Sequence, residues 1–354
     1  MDLESKTAVI LLPSYQPENT LIILSKALAE LGFPVLIVDD GSGKQYSSIF
    51  ETCKQWSKVI SYPKNKGKGF ALKTGFAYIK ENYKDCDFIV TADGDGQHRI
   101  QDIVRVYNCA KEKEITVIAE RKFDVPTPIK SRIGNSISRF TQALCTFRYM
   151  KDNQCGLRAF PISLIPQLIK IGGSRYEYEM RVLTYLQTKE LPYACISVLT
   201  IYEDDNKSSH FRPIKDTLLI QSSIFLYGLI NLFTFFIAMF IATFFYYFLF
   251  KDGAVASNKI SYELAVVCAS PLSLLFHVVI NLIVFKPKYP AKTIFRLVLY
   301  ELIMLISEAI TVSFFCRLCN FTIFGAYLLC LPLILFPLYY LIKGVGLVYN
   351  SQYE

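Results

Sequence analysis

Over residues 7–119 short apolar runs rich in β-branched residues alternate with stretches whose apolar residues recur every three or four positions. Residues 7–12 and 35–38 read as strands that stop at Pro or Asp, and Leu21, Ile22, Leu24, Leu28 and Leu31 between them mark the buried stripe of a helix. The rhythm repeats as a strand at 59–62, a helix over 70–83, a strand at 87–91, a helix over 100–110 and a strand at 115–119. Such alternation predicts an α/β domain with a mostly parallel sheet and helices on both faces, and it puts ligands beyond the carboxyl ends of the strands. From about Leu218 the pattern changes, and the apolar runs approach the roughly 20 residues that cross a bilayer. Four all-helical spans are expected at 224–249, 263–285, 295–316 and 321–342. The chain thus divides into a soluble domain over 1–210, an interfacial linker over 211–223 and a membrane domain over 224–354.

Composition agrees: 52% of the residues are hydrophobic and the mean hydropathy is +0.32, more than an all-soluble chain carries. The polar start Met1 to Lys6, and the halt of the first apolar run at Pro13, predict no secretory leader. Lys286, Lys288, Lys292 and Arg296 follow the second span, against Lys251, Lys259 and Arg317 in the other connections. The positive-inside rule then predicts a multi-pass protein with both termini and the soluble domain cytosolic. The net charge of +8 gathers beside the membrane segments and on one mid-chain helix, which suits anionic lipid or phosphate partners better than nucleic acid. Ten scattered cysteines imply a reducing compartment, and the Cys316, Cys319 pair lacks the second pair or His that zinc needs.

Polar residues collect at four strand ends: Ser14 and Tyr15; Asp39-Asp40-Gly41-Ser42; Asn65-Lys66-Gly67-Lys68-Gly69; and Asp93-Gly94-Asp95-Gly96-Gln97-His98. The last segment sets two carboxylates one residue apart, an arrangement that is costly unless a divalent cation neutralises it. Oxygen ligands on a turn suit Mg²⁺ or Mn²⁺ gripping substrate phosphates. The P-loop pattern Gly-x-x-x-x-Gly-Lys and a Gly-x-Gly-x-x-Gly after the first strand are both missing, which argues against an NTPase and a dinucleotide oxidoreductase. Residues 129–148 carry Ile129, Ile133, Ile137, Phe140, Leu144 and Phe147 beside Lys130, Arg132, Arg139 and Arg148, a pattern that fits an interfacial amphipathic helix as well as one packed on the sheet. Glu301 and Glu308 share a face of the third span and are expected to turn into the bundle toward His277, Asn281 or Asn231.

These segments, in this order and spacing, resemble family 2 glycosyltransferases, in particular the polyprenyl-phosphate sugar transferases that include dolichyl-phosphate mannose synthases. The likeness runs from about Thr7 to Tyr202, through Asp152-Asn153-Gln154-Cys155-Gly156-Leu157-Arg158 and Arg175-Tyr176-Glu177-Tyr178-Glu179. The short spans, with the His277 to Phe285 segment, more weakly resemble the GtrA-like family. The resemblance implies a GT-A-like fold and an inverting, metal-dependent transfer of sugar from a nucleotide-sugar to undecaprenyl or dolichyl phosphate. It further implies that Pro13, Tyr15, Asp39, Asp40, Lys68 and Asp93 bind the donor and that Asp93, Asp95 and Gln97 hold Mg²⁺ or Mn²⁺. Asp95 and Asp152 would be catalytic, and Arg121 and Arg132 would contact the acceptor phosphate. Two departures bear on the donor. Pro13-Ser14-Tyr15-Gln16-Pro17 replaces the family's Pro-x-Tyr-Asn-Glu opening, and Asn206-Lys207-Ser208-Ser209-His210 stands where mannose synthases carry an Arg and a Ser-Lys pair. A UDP-glucose-like donor is therefore favoured over GDP-mannose. A processive polysaccharide synthase is disfavoured because Trp56 is the sole tryptophan, far from any Gln-x-x-Arg-Trp position. A lipid-sugar flippase or scaffold with an inactive transferase domain is the alternative from another class, and a homo-oligomer is left open.

Overall fold

A computed structural model describes residues 8–121, 136–140, 142–143, 148–199, 233–250, 261–285 and 290–329. Its first half is a seven-stranded sheet of order β3-β2-β1-β4-β6-β5-β7, with β1 Ala8–Ser14, β2 Val35–Asp39, β3 Lys58–Ser61, β4 Phe88–Thr91, β5 Thr116–Arg121, β6 Arg158–Pro161 and β7 Tyr193–Val198. The strands are parallel except β6, which runs antiparallel between β4 and β5. The expected α/β architecture is the one observed. β6 and β7 had no counterpart in the periodicity.

Every residue of β1, β2 and β4 is buried, as in strands covered on both faces. Alternate residues feed two cores. Ile10, Leu12, Val35 and Ile37 pack with α1 Thr20–Glu30, α2 Ser47–Cys53 and α4 Ile100–Lys113. Val9, Leu11, Leu36 and Val38 pack with α3 Lys68–Asn82, a short α5 Ile165–Lys170 and α6 Glu177–Thr188. The two-residue period of a strand thus makes a three-layer domain.

In the second half three helices are described: α7 Phe233–Leu249, α8 Ser261–Phe285 and α9 Pro290–Leu318. Residues 323–329 are also helical. They meet through Phe235, Met239, Ala265, Ala269, Met304, Val312 and Tyr327, while Phe240, Phe248, Leu275, Ile283, Ile306 and Ile310 lie exposed on their outer faces. The stretch Tyr262–Ile280 is, among the described residues, the one helix long and apolar enough by itself to cross a membrane. Lys292, Arg296, Glu301, Glu308 and Arg317 interrupt α9. The expected first span begins before the described residues of α7, and most of the fourth lies outside the described residues. Glu301 turns inward as expected: its Oε1 lies 2.7 Å from Nδ1 of His277, which is fully buried. Glu308 is buried as well. Asn231, and the side chain of Asn281, fall outside what is described.

Candidate active site

The sheet register brings the chemistry to one edge. Ser14 pairs with Asp39 and Asp39 with Ser61, so β1, β2 and β3 end level. Because β6 is antiparallel, the residues before Arg158 arrive where β4 ends, with Thr91 opposite Arg158. The helices α3 and α6 start at this same edge, as they must when they lead back to parallel strands.

Asp40 works inside the loop that follows β3. Its Oδ1 accepts from the Tyr62 hydroxyl at 2.6 Å and the Lys66 backbone N–H at 2.8 Å, and its Oδ2 accepts from Asn65 Nδ2 at 3.0 Å and the Gly67 N–H at 2.8 Å. A buried carboxylate with four donors is spoken for. Asp39 accepts from the Ser42 N–H at 2.9 Å through Oδ1, and Ser42 Oγ accepts from the Gln16 N–H at 2.8 Å, which ties the β1 and β2 loops together. Pro13 is buried and Tyr15 half-buried beside them.

That loop delivers Lys68 to the acidic pair. Gly67 takes φ +101°, and a Cβ there would lie 2.5 Å from the Ser174 carbonyl oxygen, so only glycine fits the turn. Lys68 Nζ then reaches Asp93 Oδ1 at 2.5 Å and Glu179 Oε2 at 2.9 Å. Asp93 Oδ2 faces His98 Nε2 at 3.5 Å. Gly156 lets these groups meet, since a Cβ on it would sit 2.6 and 2.7 Å from the Asp93 oxygens and 2.9 Å from Lys68 Nζ. Burial pushes the Asp93 carboxyl up, but Lys68 and His98 together outweigh it and hold Asp93 well below the usual carboxylate range. Burial and the charge of Asp93 push Asp95 up. Asp95 Oδ1 accepts from the Gln97 N–H at 3.0 Å, which fixes the turn.

A second group stands at the end of β5. Arg121 donates to Asp152 through Nε to Oδ2 at 2.6 Å and Nη2 to Oδ1 at 3.1 Å, a two-pronged pair, and its backbone N–H adds a contact to Oδ2 at 3.1 Å. The Gln154 N–H donates to Oδ1 at 3.0 Å. Burial pushes Asp152 up, yet Arg121 and the Gln154 N–H together hold it below the usual range. Cys155 lies between the two groups: burial pushes its thiol up to about 12, with Asp152, Arg121 and Asp93 acting on it in smaller measure. Arg158 is a structural member of the same segment, donating to the Cys155 and Glu179 carbonyl oxygens at 2.9 and 2.8 Å. Beside it, Asn153 donates to Ser138 Oγ and Gln142 Oε1 at 3.1 and 2.7 Å, and Gln142 donates to Gln187 Oε1 at 3.0 Å. The helical residues 136–140 therefore turn Ser138 inward, with Gln142 and Ala143 buried just beyond them, and leave Ile137 48% exposed. Arg132 lies outside the described residues, as do Ile129, Ile133, Leu144 and Phe147.

Among the described residues no group of three or more His, Cys, Asp or Glu is set to hold a metal. Two carboxylates with the neighbouring amide of Gln97 still fit Mg²⁺ or Mn²⁺, because these ions take one or two protein carboxylates and complete their shells with water and substrate phosphates. They do not fit zinc. The sequence reading missed Glu179 and His98. Glu179 stood in the quoted Arg175 to Glu179 segment, but nothing in its spacing told that it would return to Lys68.

The chain is 28% identical over 222 residues to the UDP-N-acetylglucosamine–dolichyl-phosphate N-acetylglucosaminyltransferase of Methanococcus voltae, covering 56% of this chain and 87% of that one. It is 24% identical over 221 residues to the dolichyl-phosphate beta-glucosyltransferase of Saccharomyces cerevisiae, covering 52% and 65%. Among solved structures it is similar to glucosyl-3-phosphoglycerate synthase from Mycobacterium tuberculosis in complex with Mn²⁺, uridine diphosphate and phosphoglyceric acid, at 14% identity and TM-score 0.45, covering 63% and 77%. Residues 9–167, from β1 to within α5, match the model of glycosyl transferase family 2.

Proposed function

We propose that the protein transfers a sugar from a nucleotide-sugar to a polyprenyl phosphate, forming a polyprenyl-monophosphate-sugar. The observation that carries this reading is the meeting, at one sheet edge, of the Asp93, Asp95 and Lys68 group with the Arg121, Asp152 group. The first suits a diphosphate leaving group and the second an anionic acceptor. The relatives named for transfer to dolichyl phosphate support it.

A phosphate oxygen of the acceptor forms the new bond to the anomeric carbon while the bond to the donor diphosphate breaks, and the electron pair leaves with the diphosphate. This single displacement inverts the anomeric centre. Asp93, Asp95 and Gln97 would hold Mg²⁺ or Mn²⁺, which would supply Lewis-acid stabilisation of the diphosphate charge. Lys68 adds a second positive charge beside it. Phosphate monoesters have a second pKa of about 6, so the acceptor is already an ionised nucleophile near neutral pH. No strong general base is needed. Asp152 is accordingly read as holding Arg121 toward the acceptor phosphate, with Arg132 read from the sequence as a further contact to that phosphate, while Pro13, Tyr15 and Asp39 line the nucleotide side and Asp40 shapes the loop that presents Lys68. Asp95 remains the carboxylate whose loss ends catalysis.

The donor is read as UDP-linked glucose or a close relative, since the late Ser-Lys feature of mannose synthases is missing. The apolar outer faces of α7, α8 and α9 support a multi-pass membrane anchor, and the basic residues after the second expected span favour a cytosolic catalytic domain. The test is to incubate the purified protein with a panel of nucleotide-sugars and either undecaprenyl or dolichyl phosphate and to identify products by mass spectrometry. A lipid-monophosphate-sugar from a UDP-hexose is expected. Release of nucleotide without any lipid product, or no reaction with every donor, contradicts the proposal.

A further inference from the structure

Lys68 is held by more negative charge than a phosphate contact requires. Its ammonium bridges Asp93 Oδ1 and Glu179 Oε2 at 2.5 and 2.9 Å, and it lies 5.9 Å from the Tyr176 ring centroid. One of its two counter-ions is the carboxylate read above as a metal ligand. A divalent ion held at Asp93 would bring further positive charge close to the ammonium, and like charges so near each other repel strongly in a partly buried site. Lysine is a point charge on a flexible stem with three donors, so it can keep one carboxylate while giving up the other. Gly156 leaves the space beside Nζ open.

We propose that Glu179 is a positioning residue that draws Lys68 off Asp93 when the divalent ion and the donor diphosphate arrive. One lysine then serves as counter-charge to the ligand carboxylate in the empty enzyme and as a diphosphate contact in the loaded one. The inference rests on the reading of Asp93 and Asp95 as the metal anchor. It assigns a role to the start of α6, which lies beyond the matched family segment.

The test reads metal binding and not turnover. The full-length protein is titrated with Mn²⁺, free Mn²⁺ being followed by electron paramagnetic resonance, with and without UDP. Without nucleotide, Lys68→Met is expected to bind Mn²⁺ about tenfold tighter than the unchanged protein, because a positive charge next to the ligand is gone. It should also lose part of the gain in Mn²⁺ affinity that UDP provides. Lys68→Arg, which keeps the charge, should restore weaker binding. Glu179→Gln should bind Mn²⁺ several-fold more weakly, since the ammonium then rests on Asp93 alone. If Lys68→Met does not fold, the Glu179→Gln arm decides by the same criterion. Mn²⁺ affinity unchanged in either folded variant, with Asp95→Ala abolishing binding, overturns this inference and leaves the metal site standing. An unchanged protein that binds no Mn²⁺ with or without UDP overturns both.

Discussion

Four carboxylates near the sheet edge do four different things, and their neighbours decide which. Asp40 is consumed by backbone and side-chain donors, Asp152 by Arg121, and Asp93 by Lys68, whereas Asp95 keeps fewer partners and feels the charge of Asp93. Charge removal should therefore act with opposite signs in metal-free protein at neutral pH. Asp93→Asn leaves Lys68 with one counter-ion and should lower stability by about 1–3 kcal/mol. Asp95→Asn relieves repulsion and should be neutral or raise the unfolding midpoint. Thermal melts of the two variants in the presence of chelator check this. Asp152→Asn should reduce turnover more than donor binding, with KM for the lipid phosphate rising as Arg121 loses its clamp, as steady-state kinetics in both substrates would read. The pH sign follows from the shift: a carboxyl held below its unfolded pKa, near 3.9, stabilises the fold above that pH. That contribution is lost as pH falls further, so Asp152→Asn should flatten stability below about pH 4 and leave the slope near pH 7 unaltered. Sequence told that Asp40, Asp93 and Asp95 gather at strand ends, because each follows an apolar run, whereas Asp152 came from the family resemblance alone. It could not separate Asp40 from Asp93, since the distinction lies in which donors the fold brings back.

The first five strands and the helices α1, α3 and α4 were legible, most plainly at β1, β2 and β4, because parallel strands buried on both faces are unbroken apolar runs; the short α2 went unread. The antiparallel β6 and the helices after it were not, since Arg158–Pro161 is a four-residue strand that opens on a charged residue. Its position matters chemically, for the antiparallel insertion is what brings Gly156 and Asp152 to the edge shared by β4 and β5. Gly156→Ala should therefore disturb the Lys68 and Asp93 contact from a distance of one methyl group. We expect a loss of about 1–3 kcal/mol in stability together with loss of transfer, measured by denaturant unfolding and by product formation. The mid-chain helix was half legible. Its apolar spacing was visible, but the residues it buries among those described are Ser138, Gln142 and Ala143, held in part by amide contacts to Asn153 and Gln187.

The molecule joins a sheet edge crowded with carboxylates, Lys68 and Arg121 to helices whose outer faces are apolar. That pairing is what a reaction between a water-soluble donor and a lipid-borne acceptor demands. The intrahelical acidic residues follow the same logic, since Glu301 on α9 meets His277 on α8 and not the outside. His277→Ala should strand a buried carboxylate and cost about 3 kcal/mol or more, whereas Glu301→Gln should cost less, and detergent-solubilised thermal stability compares them. The central claim is that a divalent ion anchored by Asp93 and Asp95 carries the leaving-group charge as the sugar passes to a lipid phosphate. It is tested most directly by following polyprenyl-phosphate-sugar formation in the purified protein through chelation and metal restoration, beside Asp95→Ala. The account predicts that chelation abolishes product, that Mg²⁺ or Mn²⁺ restores it, and that Asp95→Ala stays inactive under both. Undiminished transfer in chelator, or a near-unchanged rate for Asp95→Ala, would contradict it.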